Sequence, residues 1–422
     1  MTEEFLSYLW EFRLLKPELQ TVEGDELTIL HPGKRNTDGG PDFFNSRIRI
    51  RDTIWAGNIE IHVKASDWFR HGHQEDPAYE NIILHVVFED DTNITDRYGK
   101  AIPSLVVKGC FPETIYSRYR DFMLNRSWIP CEPQLKDVPG FVFDQWSAAL
   151  VLERLEQKIS LMKQTWISNQ YDWDETCYHH LLKSFGFKIN AHAFELLARS
   201  VTWKILQKHR DHPLQMEALL FGQAGMLAGD FSEEYPQKLA KEYDFLRQKY
   251  GLNPMDKGVW KFLRLRPSNF PTIRIAQLAA FIGSKENLFS GLLESTSADY
   301  LAGIFSMAAS AYWNDHFMFG RVSASSRKVV GIASVRLIIM NFVVPFMFLA
   351  GQEKGQNEYK ERGMSILEQL PGEVNADLVR WKELGLPVSN AMFTQALIQL
   401  KTNYCDKIKC LNCRIGNNLL RI

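Results

Sequence analysis

The sequence predicts an α+β chain of more than one domain, with a mixed α/β head followed by a large all-helical body. Three observations predict it. Across residues 26–107 apolar and polar side chains alternate with the period of two that strands require. Beyond about residue 140 apolar residues recur every three or four positions, the period of helices. The length of 422 residues also exceeds that of an ordinary single domain.

The head opens on MTEEFLSYLWEFRLL, which reads as an amphipathic helix and has neither the basic start nor the small-residue cleavage site of a secretion signal. Strands are expected at 26–31, 43–51, 54–64, 82–89 and 102–108. Turn residues separate them: Asp38-Gly39-Gly40-Pro41, Arg51-Asp52, and a hairpin-like stretch over 90–99. Pro112, Pro130, Pro133 and Pro139 suggest a linker. In the body, helical periodicity marks 143–166, 191–208, 213–227, 232–250, 273–282, 297–309, 328–350, 357–370, 374–384 and 389–404. The expected organisation is therefore a head at 1–115, a Pro-rich linker at 116–140, a helical domain at 141–404 and a cysteine-containing tail at 405–422.

A hydrophobic fraction of 45% with 23% charged residues is that of a globular protein with a sizeable core. The formal net charge of −1 supplies no global field for nucleic acid or anionic lipid, so any such patch must be local. The longest apolar stretch, 337–350, is interrupted by Asn341 and Pro345 and falls short of the roughly 20 residues of a membrane span, so a buried core helix is expected. These features lead us to expect a cytoplasmic protein with no membrane partner, and they assign no oligomeric state. Phosphate-loop, dinucleotide, HExxH and GxSxG signatures are absent from the sequence.

The richest segment runs from Asp38 to Trp68. Glu60, His62 and Lys64 alternate with Ile59, Ile61 and Val63, so an acid, an imidazole and an amine share one strand face. Asp42 opens the neighbouring strand. Paired carboxylates repel each other, and Mg²⁺ or Mn²⁺ relieves that cost while polarising a phosphoryl oxygen. Asp42 and Glu60 are thus candidate metal ligands, with His62 and Lys64 to assist the water or the scissile phosphate. The competing expectation is a solvated strand face, which shows the same alternation.

Pro41-Asp42 and Glu60-x-His62 resemble the PD-(D/E)XK nuclease superfamily, with His62 where that motif has lysine and Lys64 one step further along the face. The resemblance implies a restriction-endonuclease-like core of helix, three strands, helix and strand, and nuclease-like phosphodiesterase activity. The alternative is a degenerate head within a non-catalytic scaffold or binding protein. The whole chain also resembles the bacterial family known as domain of unknown function 2851. That likeness rests on Gly39-Gly40-Pro41-Asp42-Phe43, Gly57-Asn58-Ile59-Glu60-Ile61-His62, Asp67-Trp68 with His71 and His73, Leu84-His85-Val86-Val87 and the terminal cysteines.

Two further ligand sets stand out. His62, His73, Asp76 and His85 are an alternative set for Zn, Mn or Fe, since imidazole suits transition metals. Cys405, Cys410 and Cys413 have the close spacing of metal thiolates, with Cys131 as a candidate fourth ligand for zinc or an iron–sulfur cluster, their sulfurs drawn to about 4 Å apart for zinc. Lys257, Lys261, Arg264, Arg266 and Arg274 lie in an acid-free stretch among Trp260, Phe262 and Phe270, a candidate contact for nucleic acid. A second such stretch holds Arg321, Arg327, Lys328 and Arg336.

Overall fold

The computed structural model describes residues 1–286 and 288–421, which divide into two compact units: Met1–Trp146 with Leu400–Ile422, and Ser147–Gln399. The first unit begins with helix α1 (Glu3–Glu11), capped by Thr2, whose side chain accepts the Phe5 N–H. Its apolar side buries Phe5, Leu6, Tyr8, Leu9 and Trp10.

Seven strands follow: β1 (Leu19–Gln20), β2 (Glu26–His31), β3 (Lys34–Arg35), β4 (Phe43–Ile50), β5 (Thr53–Lys64), β6 (Ile82–Glu89) and β7 (Ser104–Val106). They form one sheet in the order β1-β2-β4-β5-β6-β7, with β3 on β4. Pairing is antiparallel as far as β5, and β5, β6 and β7 are mutually parallel. The strand expectations hold to within a few residues at their ends. The hairpin-like expectation at 90–99 holds locally, with an antiparallel bridge between Thr95 and Ala101, although the flanking strands β6 and β7 run parallel, so the hairpin lies within their crossover. Asp96 Oδ1 closes its turn by accepting the N–H groups of Tyr98 and Lys100, both at 2.9 Å. Ile94 and Ile102 from that loop pack into the core around Trp68.

The prolines of the expected linker do not leave it unstructured. Pro112 precedes helix α3 (Glu113–Leu124), and Pro133 lies in a 3₁₀ turn, Glu132–Asp137, positions where a missing N–H costs little. Between α1 and α3 in the chain lies α2 (Asp67–Arg70), on the connection from β5 to β6. The tail also belongs to the first unit. Its last helix, Arg414–Arg421, buries Ile415, Leu419 and Leu420, and Asn417 Oδ1 accepts the Tyr8 hydroxyl at 2.9 Å.

Helix α4 (Gly140–Ser168) leads into the second unit, where helices appear close to each expected segment. That unit is not all-helical. A two-stranded hairpin pairs His316–Met318 with Arg321–Val322, and a helix at Trp173–Phe185 escaped the periodicity argument. The apolar run at 337–350 lies in a longer helical stretch, Ile332–Glu353, long and apolar enough to cross a membrane yet 67% buried within the protein. The chain passes Pro345 because the turn at Ile339–Val343 widens to π geometry just before it.

Lys158 on α4 places its ammonium against Asn341 Oδ1 at 2.9 Å and Gln395 Oε1 at 3.1 Å. Burial, followed by the charge of Arg154, lowers its pKa from 10.5 to about 7. Between those values the unfolded chain binds a proton that the folded chain does not, so stability rises with pH across that window. Lys158→Met is therefore expected to flatten the rise in melting temperature from about pH 7 to 10 by a few degrees. An unchanged slope in thermal melts would contradict this.

Candidate metal centre

Strand β5 sends Glu60 and His62 to one side, as side chains two residues apart must be. The face is not solvated: Glu60 is 5% and His62 2% exposed, while Ile59 and Ile61 fill the other face at 0% and 1%. The backbone can bury because β6 supplies parallel pairing from Asn58 to Lys64. Gly57 permits that approach, since a Cβ there would stand 2.4 Å from Ile83 Cγ2 and 2.7 Å from the Asn81 carbonyl oxygen.

Asp42 arrives from the loop before β4. The Asn36 amide donates to the carbonyls of Asp38, Gly39 and Pro41 at 3.0–3.2 Å, which holds the Gly-Gly-Pro turn in place. The two carboxylates are then laced through backbone: Glu60 Oε2 accepts the Asp42 N–H at 3.2 Å, and Asp42 Oδ2 accepts the Ile61 N–H at 2.9 Å.

The connection between β5 and β6 contributes two histidines. Trp68 anchors it, buried and donating from Nε1 to the Thr95 carbonyl at 3.1 Å. After α2 the chain reverses at Gly72, whose φ of +76° suits glycine, so His71 and His73 return toward the sheet. The His73 ring stacks on Tyr79 with centroids 3.9 Å apart.

Four potential ligands converge. His71 Nδ1 lies 3.2 Å from His62 Nε2, His62 Nε2 3.5 Å from Glu60 Oε1, and His73 Nε2 3.3 Å from Glu60 Oε1. The ligand atoms of the three histidines all lie within 4.8 Å of one another. A tetrahedral ion with ligands at about 2.0–2.1 Å spaces them about 3.3 Å apart, a value that three of the six edges bracket, while the edges among the histidines reach no further than 4.8 Å. His73 Nε2 is buried with no hydrogen-bond partner, so its approach to the carboxylate is not a hydrogen bond, and a cation fits between them. Behind the cluster, His62 Nδ1 meets His85 Nε2 at 2.8 Å. If His62 donates there, its Nε2 keeps a lone pair facing Glu60, the usual support for a metal-binding imidazole. His71 is exposed, so the cluster is open to solvent on that side.

Burial, with the charges of His73 and His71, lowers His62 to about 3. Burial likewise lowers His85 to about 3. Burial and then the Glu60 charge raise Asp42 to about 7. Glu3 on α1 is raised as well, chiefly by burial, and lies in the field of His71, Asp67 and Glu60.

Other expected residues lie elsewhere. Lys64 is half-exposed with Nζ 3.9 Å from Glu89 Oε2, so it leaves the cluster despite sharing the strand face. Asp76 does not join the histidines; it caps the turn Pro77–Tyr79 by accepting the Ala78 N–H at 2.9 Å. In the second unit Lys257, Lys261, Arg264 and Arg266 are exposed. Arg274 is not available to a ligand: it is 3% exposed, donates to Gln277, Asn269 and Ser334, and lies over the Phe187 ring. The aromatics beside it are also occupied, with Trp260 buried and Phe262 packed on Phe270. Periodicity gave no reason to choose His71 as a ligand; its signals were the His71-Gly72-His73 spacing and its place among the residues that carry the family resemblance.

Fold and site define an α/β unit with a buried carboxylate–histidine cluster, covalently continuous with a helical unit. The chain belongs to the family described as Protein of unknown function (DUF2851), whose family model matches residues 3–376. No curated protein and no solved structure matches the chain.

Proposed function

We propose that the first unit is a metal-dependent phosphodiesterase of nuclease-like type, with Glu60, His62, His71 and His73 holding a transition-metal ion and Asp42 beside them. The observations that support this reading are three histidines whose ligand atoms lie within 4.8 Å of one another, and the Glu60 carboxylate 3.5 and 3.3 Å from two of them. Three imidazoles favour Zn²⁺ or Mn²⁺ over Mg²⁺. When bound, such an ion polarises a phosphoryl oxygen and acidifies water. Asp42, coupled through backbone to Glu60, is placed to take the proton that water releases.

Two further features support nucleic acid as substrate. We read β2, β4 and β5, antiparallel, and β6, parallel to β5, as the counterpart of a PD-(D/E)XK core, although β1, β3 and β7 are additional and only the four-residue α2 stands where that core has its second helix. A cleft of about 600 Å³ is lined by Arg35, Arg414 and Arg421, guanidinium groups suited to phosphate, though Arg35 is paired with Glu11 at 3.4 Å in the same cleft and Arg414 and Arg421 lie over the Trp146 and Phe12 rings. One observation favours a second reading. Four protein ligands fill a tetrahedron, the arrangement of a structural ion in a non-catalytic scaffold or binding protein.

Metal analysis joined to cleavage assays on DNA and RNA tests both. We expect about one Zn²⁺ or Mn²⁺ per chain that is retained in Cys405→Ser, and cleavage that stops on chelation. Such metal without cleavage across several substrates would select the scaffold. Its absence would remove both.

A further inference from the structure

None of the six cysteines takes part in the histidine cluster, yet the fold of the first unit brings four of them near one another from distant parts of the sequence. Cys131 precedes the turn Glu132–Asp137, and its carbonyl accepts the Gln134 N–H at 3.1 Å. Cys405 closes the wide turn Lys401–Cys405, and its carbonyl accepts the Ile408 N–H at 3.1 Å, with Ile408 in the left-handed region at φ +53°. The Cys413 N–H donates to the Cys410 carbonyl at 3.3 Å, so those two cysteines flank a single tight turn. Gly416 makes that turn possible, because a Cβ there would stand 2.2 Å from the Cys410 carbonyl oxygen. Burial raises the Cys413 thiol above its ordinary pKa, and the N–H groups of Gly416 and Ile415, which point at its Sγ, offset part of that effect.

Cys131, Cys410 and Cys413 are each 7% exposed, and all six cysteines are free thiols. Every pairing within the four is close enough for one sulfur's charge to act on the other: Cys405 with Cys413, Cys131 and Cys410, Cys410 with Cys131 and Cys413, and Cys131 with Cys413. Four thiols gathered in one buried place, with backbone donors aimed at one of them, form a donor set for soft metals.

We propose that Cys131, Cys405, Cys410 and Cys413 are the four thiolate ligands of a thiophilic metal centre that fastens the C-terminal segment to the first unit. Zinc and an iron–sulfur cluster share this ligand chemistry. The sulfurs do not form a set as tight as the 4.8 Å of the histidines, so the expected contraction to about 4 Å is not met. A single zinc with Zn–S bonds of about 2.3 Å would set the sulfurs about 3.8 Å apart, and a polynuclear cluster would hold the same four thiolates further apart.

The test is iron, sulfide and zinc analysis of the full chain purified without oxygen, together with its visible absorption. Iron and sulfide in equal amounts, bleached by oxygen, are expected. Zinc bound in their place would support the four-thiolate centre in its mononuclear form. Cys405→Ser and Cys413→Ser should each lose that metal, whereas Cys110→Ser and Cys177→Ser should keep it. Should Cys413→Ser fail to fold, Cys405→Ser carries the test, since Cys405 is the least buried of the four. Metal beyond the ion that Glu60→Gln removes, retained in folded Cys405→Ser, or a full chain with no such additional metal, would overturn the proposal.

Discussion

Glu60→Gln is expected to weaken metal binding by more than about a hundredfold and to abolish metal-dependent cleavage while the first unit stays folded. Glu60 is the one carboxylate at two of the three observed edges, to His62 Nε2 at 3.5 Å and to His73 Nε2 at 3.3 Å. Removing its charge leaves three neutral imidazoles to offset a divalent ion. The substitution preserves shape, and a glutamine oxygen can still accept the Asp42 N–H that Glu60 Oε2 now accepts. Calorimetric titration with Zn²⁺ and Mn²⁺, alongside circular dichroism for the fold, separates the two effects. Unchanged affinity in a folded variant would remove Glu60 from the ligand set and the proposed function with it.

Strand positions in the first unit were legible from local pattern: 26–31 and 82–89 match β2 and β6 end for end, although β6 is a near-continuous apolar run buried on both faces rather than an alternating one. Which strands pair, and in which sense, is a long-range property that alternation does not encode. Turn residues at 90–99 marked the local hairpin that Thr95 and Ala101 bridge, but gave no sign that the flanking β6 and β7 run parallel. The same limit applies at the site. Periodicity could place Glu60, His62 and Lys64 on one face, but not show that the face is covered at Glu60 and His62 and open at Lys64. Covering comes from the connection that carries Trp68, His71 and His73, which has no period to read. Arg274 misled for the opposite reason. Its acid-free surroundings resembled a phosphate-binding surface, whereas neutral partners from Asn269, Gln277 and Ser334 hold it in the interior.

Asp42→Asn should produce effects of opposite sign in the two states of the protein. Without metal, the Asp42 carboxyl suffers first from burial and then from the charge of Glu60, which together raise its pKa from 3.8 to about 7. Between those values the unfolded chain has released the proton and the folded chain retains it. Stability therefore falls as pH rises through that window and is lowest above about pH 7. Asparagine carries no charge at any of these pH values, and its side-chain oxygen can still accept the Ile61 N–H now held by Asp42 Oδ2. The metal-free variant should match the wild type near pH 4 and exceed its melting temperature by several degrees near pH 8, roughly the shift that one or two kcal/mol produces. Metal reverses the order. A divalent ion relieves the repulsion between Asp42 and Glu60, so saturating Zn²⁺ or Mn²⁺ should raise the wild-type melting temperature by more than that of the variant. Melts at pH 8 with and without metal decide the matter. A carboxylate kept only for its hydrogen bond to Ile61 would leave the metal-induced shift the same in both proteins, and that result would remove Asp42 from the site.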